Sequence, residues 1–390
     1  MKIVYSLNSI RGQGGIERIT LIIANALAQI DGNEVFIVVA DNKSLEQVYE
    51  ISPLIHLIDL NVNSHEWNPA FPDLINNMIS WTTKPRHRSL LRNALKRIAP
   101  DIVITCGKTD KYLFPSKWKR QWKLVRIFHE EKYIEVKNSP TKFLKWMTRV
   151  LIFLDHLINV PKCDRIIVLT HEEKERNWQG KKNVLIIPNP VTFSCETPSL
   201  LNQKCVISVG RLDRLKNYSA LINAFKIVCE RHNDWCLNIY GDGPEKQHLQ
   251  QQINDLELQN NVYLMGFVKD IRTAMLQSSI FGFSSLSEGY GIVLIEAMEC
   301  GLPVVSYQCA NGPKDIITDG VNGFLVPVGE EKMLADKICT IIEDKELHHK
   351  MGIAAKANAK NYQLDHIANQ WMSLFYELTS AQARRILTKM

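Results

Sequence analysis

The sequence predicts an α/β protein of two domains, each a parallel β-sheet covered by helices, with a cleft between them. Its 390 residues, 45% hydrophobic and 23% charged, exceed the length of an ordinary single domain. The chain opens with an apolar run at 2–7, a glycine loop at 12–15, a helical pattern at 16–30 and a second apolar run at 35–40. This strand–loop–helix–strand order is typical of a parallel sheet.

Short apolar runs continue the pattern in both halves of the chain, as expected for strands that are buried on both faces. The predicted strands are 102–105, 124–128, 165–169 and 184–187, then 205–209, 237–240, 262–265, 280–283 and 304–306. A Pro-Asn-Pro turn at 188–190 marks a junction. We therefore expect domains at 1–187 and 188–367, with a C-terminal helix within 368–390 that packs back on the first domain.

Nine scattered cysteines without a CxxC pair predict reduced thiols rather than a zinc site. No apolar run reaches the roughly 18–20 residues that a membrane span requires. Residues 1–7 lack the apolar region and cleavage site of a signal peptide. These features predict a cytoplasmic protein.

Positive charge is concentrated in the first half of the chain. Residues 1–200 contain 28 Lys and Arg against 20 Asp and Glu, whereas the remainder contains 19 against 21. Within 81–150 there are 18 basic and 5 acidic residues, a balance of +13. This excess indicates an anionic partner, either nucleic acid or anionic lipid, unless it is only a solvated surface.

A basic loop follows the predicted strand at 205–209. Gly210 ends that strand, and Arg211 and Lys216 follow five residues apart. Ligands of open α/β sheets bind at the carboxyl ends of strands. A guanidinium and an ammonium there suit an anionic group such as a diphosphate, although two surface cations near a helix start fit the same pattern.

A second loop precedes a predicted helix that starts near Ile292. Gly289 and Gly291 place Glu288 in the loop, and the helix N-terminus would offer amides and a positive dipole to phosphate oxygens. Glu288 would then reach hydroxyls of a transferred sugar, and Glu296, about a turn inside the helix, those of a ribose. The alternative is a glycine-rich turn with two solvated carboxylates.

These motifs resemble those of the retaining group 1 glycosyltransferases of GT-B fold. The matching segments are Gly210-Arg211-Leu212 with Lys216-Asn217, Gly241-Asp242-Gly243-Pro244, Gly266-Phe267, Glu288-Gly289-Tyr290-Gly291 with Glu296-Ala297-Met298, Gly301-Leu302-Pro303 and 319–327. They cover most of 204–330 in order. Tyr290 stands where the family more often has Phe. In the first half only Gly14-Gly15-Ile16-Glu17 and His129 match.

The resemblance implies two Rossmann-like domains facing a central cleft. It also implies transfer of a sugar from a nucleotide diphosphate sugar with retention of the anomeric configuration. A UDP-sugar is the first choice of donor and a GDP-sugar the second. It implies that Arg211 and Lys216 hold the donor diphosphate. The expected catalytic residues are His129, Arg211, Lys216 and Glu288. The expected donor-binding residues are Gly14, Gly15, Gly210, Asn217, Gly241, Phe267, Val268, Gly289, Tyr290, Gly291, Ile292 and Glu296.

Two alternative motifs in the first domain fail. A dinucleotide fingerprint requires Gly at position 17, which is Glu. The His129-Glu130 pair does not continue as a zinc-protease motif, because position 133 is Tyr. The resemblance places His129 beside the donor sugar, whereas a structural histidine is the alternative.

The sequence contains no Asp-x-Asp pair, through which metal-dependent glycosyltransferases generally bind their metal. We therefore expect no metal and no cofactor other than the nucleotide sugar. Arg211, Lys216 and the helix amides would neutralise the leaving diphosphate.

Residues 139–160 predict an amphipathic helix with a basic stripe and an apolar side opposite it. The stripe comprises Lys142, Lys145, Arg149 and His156, and the apolar side Phe143, Trp146, Met147, Val150, Phe153, Leu154 and Leu157. Such a helix suits a membrane interface, or equally a position against its own sheet. With the basic segments 84–97 and 117–123, it favours peripheral attachment to the inner face of the cytoplasmic membrane.

The expected acceptor is therefore a lipid-linked glycan or glycolipid, as in lipopolysaccharide or other surface polysaccharide synthesis. Another GT-B enzyme with soluble substrates, such as a nucleotide-sugar epimerase or a glucan synthase, is the alternative. A nucleic-acid-binding module is suggested only by the basic stretch, which lacks a recognition motif. We therefore expect no nucleic-acid partner.

Overall fold

A computed structural model describes residues 1–10, 15–40, 49–62, 73–106, 120–129 and 141–387. For 73–84, 151 and 381–387 it describes the backbone only. Gly14, residues 117–119 of the predicted basic segment 117–123 and the acidic pair after His129 therefore lie outside the described residues.

The chain divides into two compact units. The first comprises Met1–Leu169, Asn177–Pro188 and Leu364–Met390, and the second comprises Thr170–Arg176 and Asn189–Gln363. The main change of unit, after Pro188, lies one residue from the expected domain boundary. Residues 170–176 belong to the second unit, whereas the sequence-based division assigned them to the first domain.

The first unit is built on a seven-stranded parallel sheet. Its strands are β1 (Lys2–Leu7), β2 (Glu34–Val39), β3 (Ile55–Asp59), β4 (Ile102–Cys106), β5 (Lys123–Ile127), β6 (Arg165–Val168) and β7 (Val184–Ile186). Their order in the sheet is β3-β2-β1-β4-β5-β6-β7. All five residues of β4 are buried, because helices cover the faces of a parallel sheet.

The described residues of this unit form four helices: α1 (Gly15–Ala28), α2 (Asp73–Ile98), α3 (Lys142–Ile158) and, from the end of the chain, α12 (Leu364–Leu387). Helix α12 packs against α1. The amide of Asn33 lies 3.4 Å from the sulfur of Met372, and Arg165 of β6 pairs with Glu377. The C-terminal helix thus completes the first unit.

The second unit is built on a six-stranded parallel sheet. Its strands are β8 (Cys205–Val209), β9 (Cys236–Tyr240), β10 (Val262–Gly266), β11 (Ile280–Phe283), β12 (Val304–Tyr307) and β13 (Gly323–Val326), in the order β10-β9-β8-β11-β12-β13. Its helices are α4 (His171–Asn177), α5 (Tyr218–Arg231), α6 (Lys246–Asp255), α7 (Ile271–Leu276), α8 (Ile292–Glu299), α9 (Pro313–Ile316), α10 (Glu331–Glu343) and α11 (Lys345–Ala359).

The core of the second unit lies between the sheet and helices α5 and α10. Phe225 of α5, Leu237 of β9 and Ile338 of α10 are fully buried in it. Alternate residues of β9, Leu237 and Ile239, point into this core, whereas Cys236, Asn238 and Tyr240 face the other way and are only half-buried. The predicted α/β class with two parallel sheets is confirmed.

Helix α3 is attached to the first sheet along one side. Thr141 caps it, its hydroxyl accepting the Leu144 N–H at 3.2 Å. Asp155 accepts a hydrogen bond at 2.8 Å from the guanidinium of Arg126, which is buried in β5. His156 packs on Trp178, with ring centroids 4.5 Å apart, so it does not belong to an exposed basic stripe.

The outer side of α3 combines apolar and basic side chains. Its large apolar residues are mostly exposed: Phe143 66%, Trp146 61%, Phe153 66% and Leu157 63%. Lys142, Lys145 and Arg149 are exposed on the same side. The prediction of opposite sides was wrong, because at 100° per residue Lys142 and Phe153 lie only about 20° apart around the helix.

None of the described helices combines the length and the apolar character that crossing a membrane requires.

Candidate active site

The candidate site lies at the carboxyl edge of the second sheet, where the strand order reverses. β8 and β11 are neighbours there, although β9 and β10 come between them in the chain. Loops diverge at such a switch point and leave a crevice for a ligand. The two loops are 210–217, after β8, and 284–291, after β11.

An ion pair joins these loops. The Nζ atom of Lys216 lies 2.6 Å from Oε1 of Glu288, and the two side chains are 22% and 11% exposed. Lys216 also lies over the ring of Phe283, 5.7 Å from its centroid. Two predicted catalytic residues, 72 positions apart, are thus brought into direct contact.

The conformation of the first loop follows from its own residues. Asp213 accepts hydrogen bonds from the N–H groups of Leu215 and Lys216 at 3.0 and 3.1 Å, which closes a tight turn. Asn217 then adopts a left-handed conformation, with φ of 51°, and precedes α5. The Ser284 hydroxyl donates to the carbonyl of Lys216 at 2.9 Å, so the second loop supports the first.

Gly210 and Gly241 bring the ends of β8 and β9 together. A Cβ atom on Gly241 would lie 2.0 Å from the carbonyl oxygen of Gly210, and one on Gly210 would lie 2.8 Å from the Tyr218 hydroxyl. The N–H of Gly241 donates to the carbonyl of Gly266 at 2.8 Å. Side chains at these positions would fill the floor of the crevice or displace its backbone.

Arg211 has an exposed side chain directly after Gly210. Within the described part of the chain no ion pair engages it. The nearby Arg214 is instead 3.4 Å from Glu245, with its side chain 91% exposed. Arg211 is therefore available to an anionic ligand at the edge of the sheet.

Helix α8 directs its N-terminus toward this edge. Gly291 caps it with φ of 85°, a conformation that favours glycine, and the helix begins at Ile292 as predicted. Gly289 is half-buried, whereas Tyr290 is buried, which raises the pKa of its hydroxyl well above the ordinary value. The helix terminus can therefore offer backbone N–H groups to an anion.

Glu296 lies in α8 and is 2% exposed. Its carboxylate accepts a hydrogen bond from the hydroxyl of Thr192. A ribose hydroxyl at Glu296 would have to share or replace this bond, so the ribose contact stays a prediction.

Phe267 and Val268 follow β10, the outer neighbour of β9. The side chain of Phe267 is exposed and that of Val268 is half-buried. Their position at the same edge is compatible with the expected contact to the donor, which also stays a prediction.

Two predicted site residues are described in the first unit. Gly15 is the exposed first residue of α1. His129 comes two residues after the end of β5, which begins and ends one residue earlier than predicted, and is half-buried. Burial lowers the pKa of His129 to about 4, so its imidazole is neutral at neutral pH.

Sequence reasoning missed two supports of the site. The carboxylate of Glu299, at the end of α8, accepts from Lys356 at 2.7 Å, Gln363 at 2.9 Å and the Cys195 N–H at 2.8 Å. The loop after β12 accepts the N–H of Glu288 through the carbonyl of Ala310, at 3.2 Å. Only the Asn-Gly-Pro turn at 311–313 signalled this second support.

One group in the described residues has metal-ligand spacing, formed by His232, Cys339 and Glu343. Nε2 of His232 lies 2.9 Å from Oε1 of Glu343. These residues lie at the ends of α5 and α10, near the amino end of β9, so they are separate from the candidate site.

Comparison with protein families matches both halves of the chain. Residues 196–358 match the model described as Glycosyl transferases group 1. Residues 13–194 match the model described as Glycosyltransferase Family 4.

Two relatives cover most of the chain. An uncharacterized glycosyltransferase of Methanocaldococcus jannaschii is 30% identical over 354 residues, covering 78% of this chain and 86% of that protein. The GalNAc-α-(1→4)-GalNAc-α-(1→3)-diNAcBac-PP-undecaprenol α-1,4-N-acetyl-D-galactosaminyltransferase of Campylobacter jejuni is 26% identical over 295 residues, covering 75% and 79%.

Among solved structures, the chain is similar to a mutant of S. aureus TarM in complex with fondaparinux, α-GlcNAc-glycerol and UDP. The TM-score is 0.71 at 17% identity, and the match covers 96% of this chain and 100% of that one. This likeness shows a common fold.

Proposed function

Because the chain belongs to the group 1 glycosyltransferases of GT-B fold, we propose that it moves a sugar from a nucleotide diphosphate sugar to a lipid-linked glycan or glycolipid in surface polysaccharide synthesis, lipopolysaccharide included. The observation that carries this proposal is the Lys216–Glu288 pair, 2.6 Å apart at the switch point of the second sheet. A UDP-sugar is the first choice of donor, and a GDP-sugar the second.

The proposed donor site has positively charged groups for the diphosphate and a carboxylate for the sugar. Lys216 and Arg211 bind the diphosphate and stabilise the negative charge that develops as the bond to the sugar breaks. The N-terminus of α8 adds backbone N–H groups. Glu288 accepts hydrogen bonds from sugar hydroxyls, and its contact with Lys216 sets the ammonium between the sugar and the diphosphate.

Two further features of the reaction are proposals drawn from the sequence. The product keeps the anomeric configuration of the donor, as the family resemblance implies. Transfer proceeds without a metal ion, since the chain has no Asp-x-Asp pair and supplies Lys216 and Arg211 for the leaving diphosphate.

The proposed acceptor is held at a membrane. Support comes from the C. jejuni relative, whose name specifies an acceptor on PP-undecaprenol. It comes also from the outer side of α3, where Trp146 and Phe153 are 61% and 66% exposed beside Lys142, Lys145 and Arg149. Aromatic and basic side chains on one helix face suit the headgroup region of an anionic bilayer.

Attachment through α3 explains why these apolar side chains are not buried. Asp155 and Arg126 fix the opposite side of the helix to the sheet, so the apolar side cannot rotate inward. We therefore propose that the protein binds peripherally to the inner face of the cytoplasmic membrane and has no nucleic-acid partner.

The test is transfer to defined acceptors. The purified protein is mixed with UDP- or GDP-sugars and either a polyprenyl diphosphate glycan in vesicles or soluble oligosaccharides, with and without EDTA. We expect transfer to the vesicle-bound acceptor in EDTA, with the donor's anomeric configuration in the NMR coupling constants. Transfer only to soluble acceptors would favour a glucan synthase, and conversion of the nucleotide sugar alone an epimerase. Loss of activity in EDTA, restored by Mn²⁺ or Mg²⁺, would exclude metal-free transfer.

A further inference from the structure

Two cysteines of the second unit form a pair that the donor site does not use. Cys205 and Cys236 are the first residues of β8 and β9 and are direct partners in the register of these parallel strands. Partners in register point to the same face of a sheet. Each thiol influences the ionisation of the other.

The backbone spacing of this pair is compatible with a disulfide. Neighbouring strands lie about 4.8 Å apart, and bridged cysteines usually have Cα atoms about 4.4–6.8 Å apart. Because Cys205 and Cys236 are direct partners, their Cα separation is set by the strand spacing. A bond between them therefore requires side-chain rotation rather than movement of the sheet.

The pair is open to solvent through a cavity. Cys205 and Cys236 line a cavity of about 370 Å³ together with Asn238, Tyr240 and Ser278. Cys205 is buried, whereas Cys236 is half-buried, so a reagent entering the cavity meets Cys236 first. Accessibility distinguishes this pair from Cys195 and Cys300, whose sulfur atoms are 3.5 Å apart but buried.

The surroundings of the two thiols assign them different roles. The Ser278 hydroxyl donates to the sulfur of Cys205 at 3.7 Å. The neighbouring Cys205 thiol lowers the pKa of Cys236, whereas the Cys236 thiol and burial raise the pKa of Cys205. Cys236 is therefore the better nucleophile, since the thiolate is the reactive form.

We propose that Cys205 and Cys236 are a dithiol modification site that takes small-molecule disulfides. The Cys236 thiolate attacks one sulfur of the disulfide, forms a mixed disulfide and releases the other half as a thiolate. Cys205 then loses its proton to solvent and attacks the Cys236 sulfur, releasing the second half. The two cysteines lose two electrons and two protons, and the small disulfide is reduced to two thiols. This site goes beyond the proposed function, because it lies at the amino ends of the strands whose carboxyl ends carry the donor loops.

The test uses the reduced full-length protein with oxidised glutathione at neutral pH, followed by alkylation and peptide mass spectrometry. We expect a Cys205–Cys236 cross-link in the wild type. In Cys205→Ser a glutathione adduct accumulates on Cys236, and in Cys236→Ser no adduct forms on Cys205, since Cys205 is buried. Thermal unfolding curves check that both variants are folded.

A second measurement needs no variant. The rate of alkylation of Cys236 in the reduced wild type should exceed that of Cys229 at least about tenfold, because burial raises the pKa of Cys229 to about 11. The buried pair Cys195 and Cys300 should stay reduced under the conditions that bridge Cys205 and Cys236. Equal alkylation rates, or a first cross-link between Cys195 and Cys300, would overturn the proposal.

Discussion

The two units share a strand order but differ in what they carry where that order reverses. β1 and β4 meet at the reversal in the first sheet, as β8 and β11 do in the second. In the second unit the loops after this point hold Lys216 and Glu288 in contact. In the first unit the predicted site residues that the structure describes are the exposed Gly15 and the half-buried, neutral His129.

The first unit is distinguished instead by a surface. The outer side of α3 exposes Trp146 and Phe153 among cations, although the helix is fixed to the sheet by the Arg126–Asp155 pair. The comparison shows that the same α/β strand order can carry an ion pair at a sheet edge in one unit and an exposed amphipathic helix surface in the other. Variants of the two units should therefore affect different measurements.

The largest effect is expected from the loops 210–217 and 284–291, which carry the proposed donor site. Lys216→Ala and Arg211→Ala should each lower kcat about 100-fold or more, since each removes one stabiliser of transition-state charge. Donor turnover with saturating acceptor measures this. Arg214→Ala is the matched control, because Arg214 is exposed and pairs only weakly with Glu245. A folded Lys216→Ala variant with near-wild-type turnover would remove the diphosphate assignment.

The next effect concerns membrane binding. Replacing Lys142, Lys145 and Arg149 by Glu should weaken binding to anionic vesicles about 100-fold, since each cation near an anionic leaflet contributes about 1 kcal/mol. Vesicle flotation measures this, and donor hydrolysis should be unchanged. The control makes the same charge change in the second unit, at the exposed Lys226, Lys332 and Lys345. Equal loss in both triple variants would mean that net charge, rather than α3, binds the vesicles.

A smaller effect is expected in the pH dependence of stability. His87 of α2 is 4% exposed, and burial lowers its pKa to about 4. Because the unfolded chain binds the proton near pH 6.5, the stability due to neutral His87 is full above that pH and is lost as pH falls toward 4. The loss between pH 7 and 4.5 is about 2.5 kcal/mol.

Urea unfolding of His87→Gln at both pH values checks this prediction. Between pH 7 and 4.5, His87→Gln should lose less stability than the wild type. His366→Gln, at an exposed position of α12, should lose as much as the wild type. If the stability of His87→Gln fell with pH as steeply as that of the wild type, the assignment of this pH dependence to His87 would be contradicted.

The smallest effects concern helix caps, one in each unit. Thr141 caps α3 and Asp344 caps α11, each accepting a backbone N–H three residues later, at 3.2 and 2.9 Å. Replacing either by Ala should lower the free energy of unfolding by about 1 kcal/mol. Hydrogen exchange should increase in the first turn of the altered helix only. Exchange that increases throughout a unit would show that the cap stabilises more than its helix.

Most of the strands were predicted within one or two residues, because runs buried on both faces are apolar throughout. The exceptions are β3 and β13. β3 is the edge strand Ile-His-Leu-Ile-Asp, in which two of the five residues are polar and only Ile55 is buried. β13 is only four residues long and begins with Gly323, a residue type that is typical of turns. Short and edge strands depend on their neighbours for their conformation.

The sequence alone determined the α/β class, because the periodicity of apolar runs is a local property of the chain. The junction near 188 and the roles of the loops 210–217 and 284–291 were likewise read from local motifs, and the roles of these loops stay predictions. Only the tertiary structure decided that Lys216 meets Glu288 across 72 positions, that Glu299 anchors α8, and that α3 turns its apolar side outward. Each of these three features depends on which residues from distant parts of the sequence become neighbours in the fold. The sheet topology and the buried Arg126–Asp155 pair determine these neighbours, whereas the spacing of residues along the chain does not.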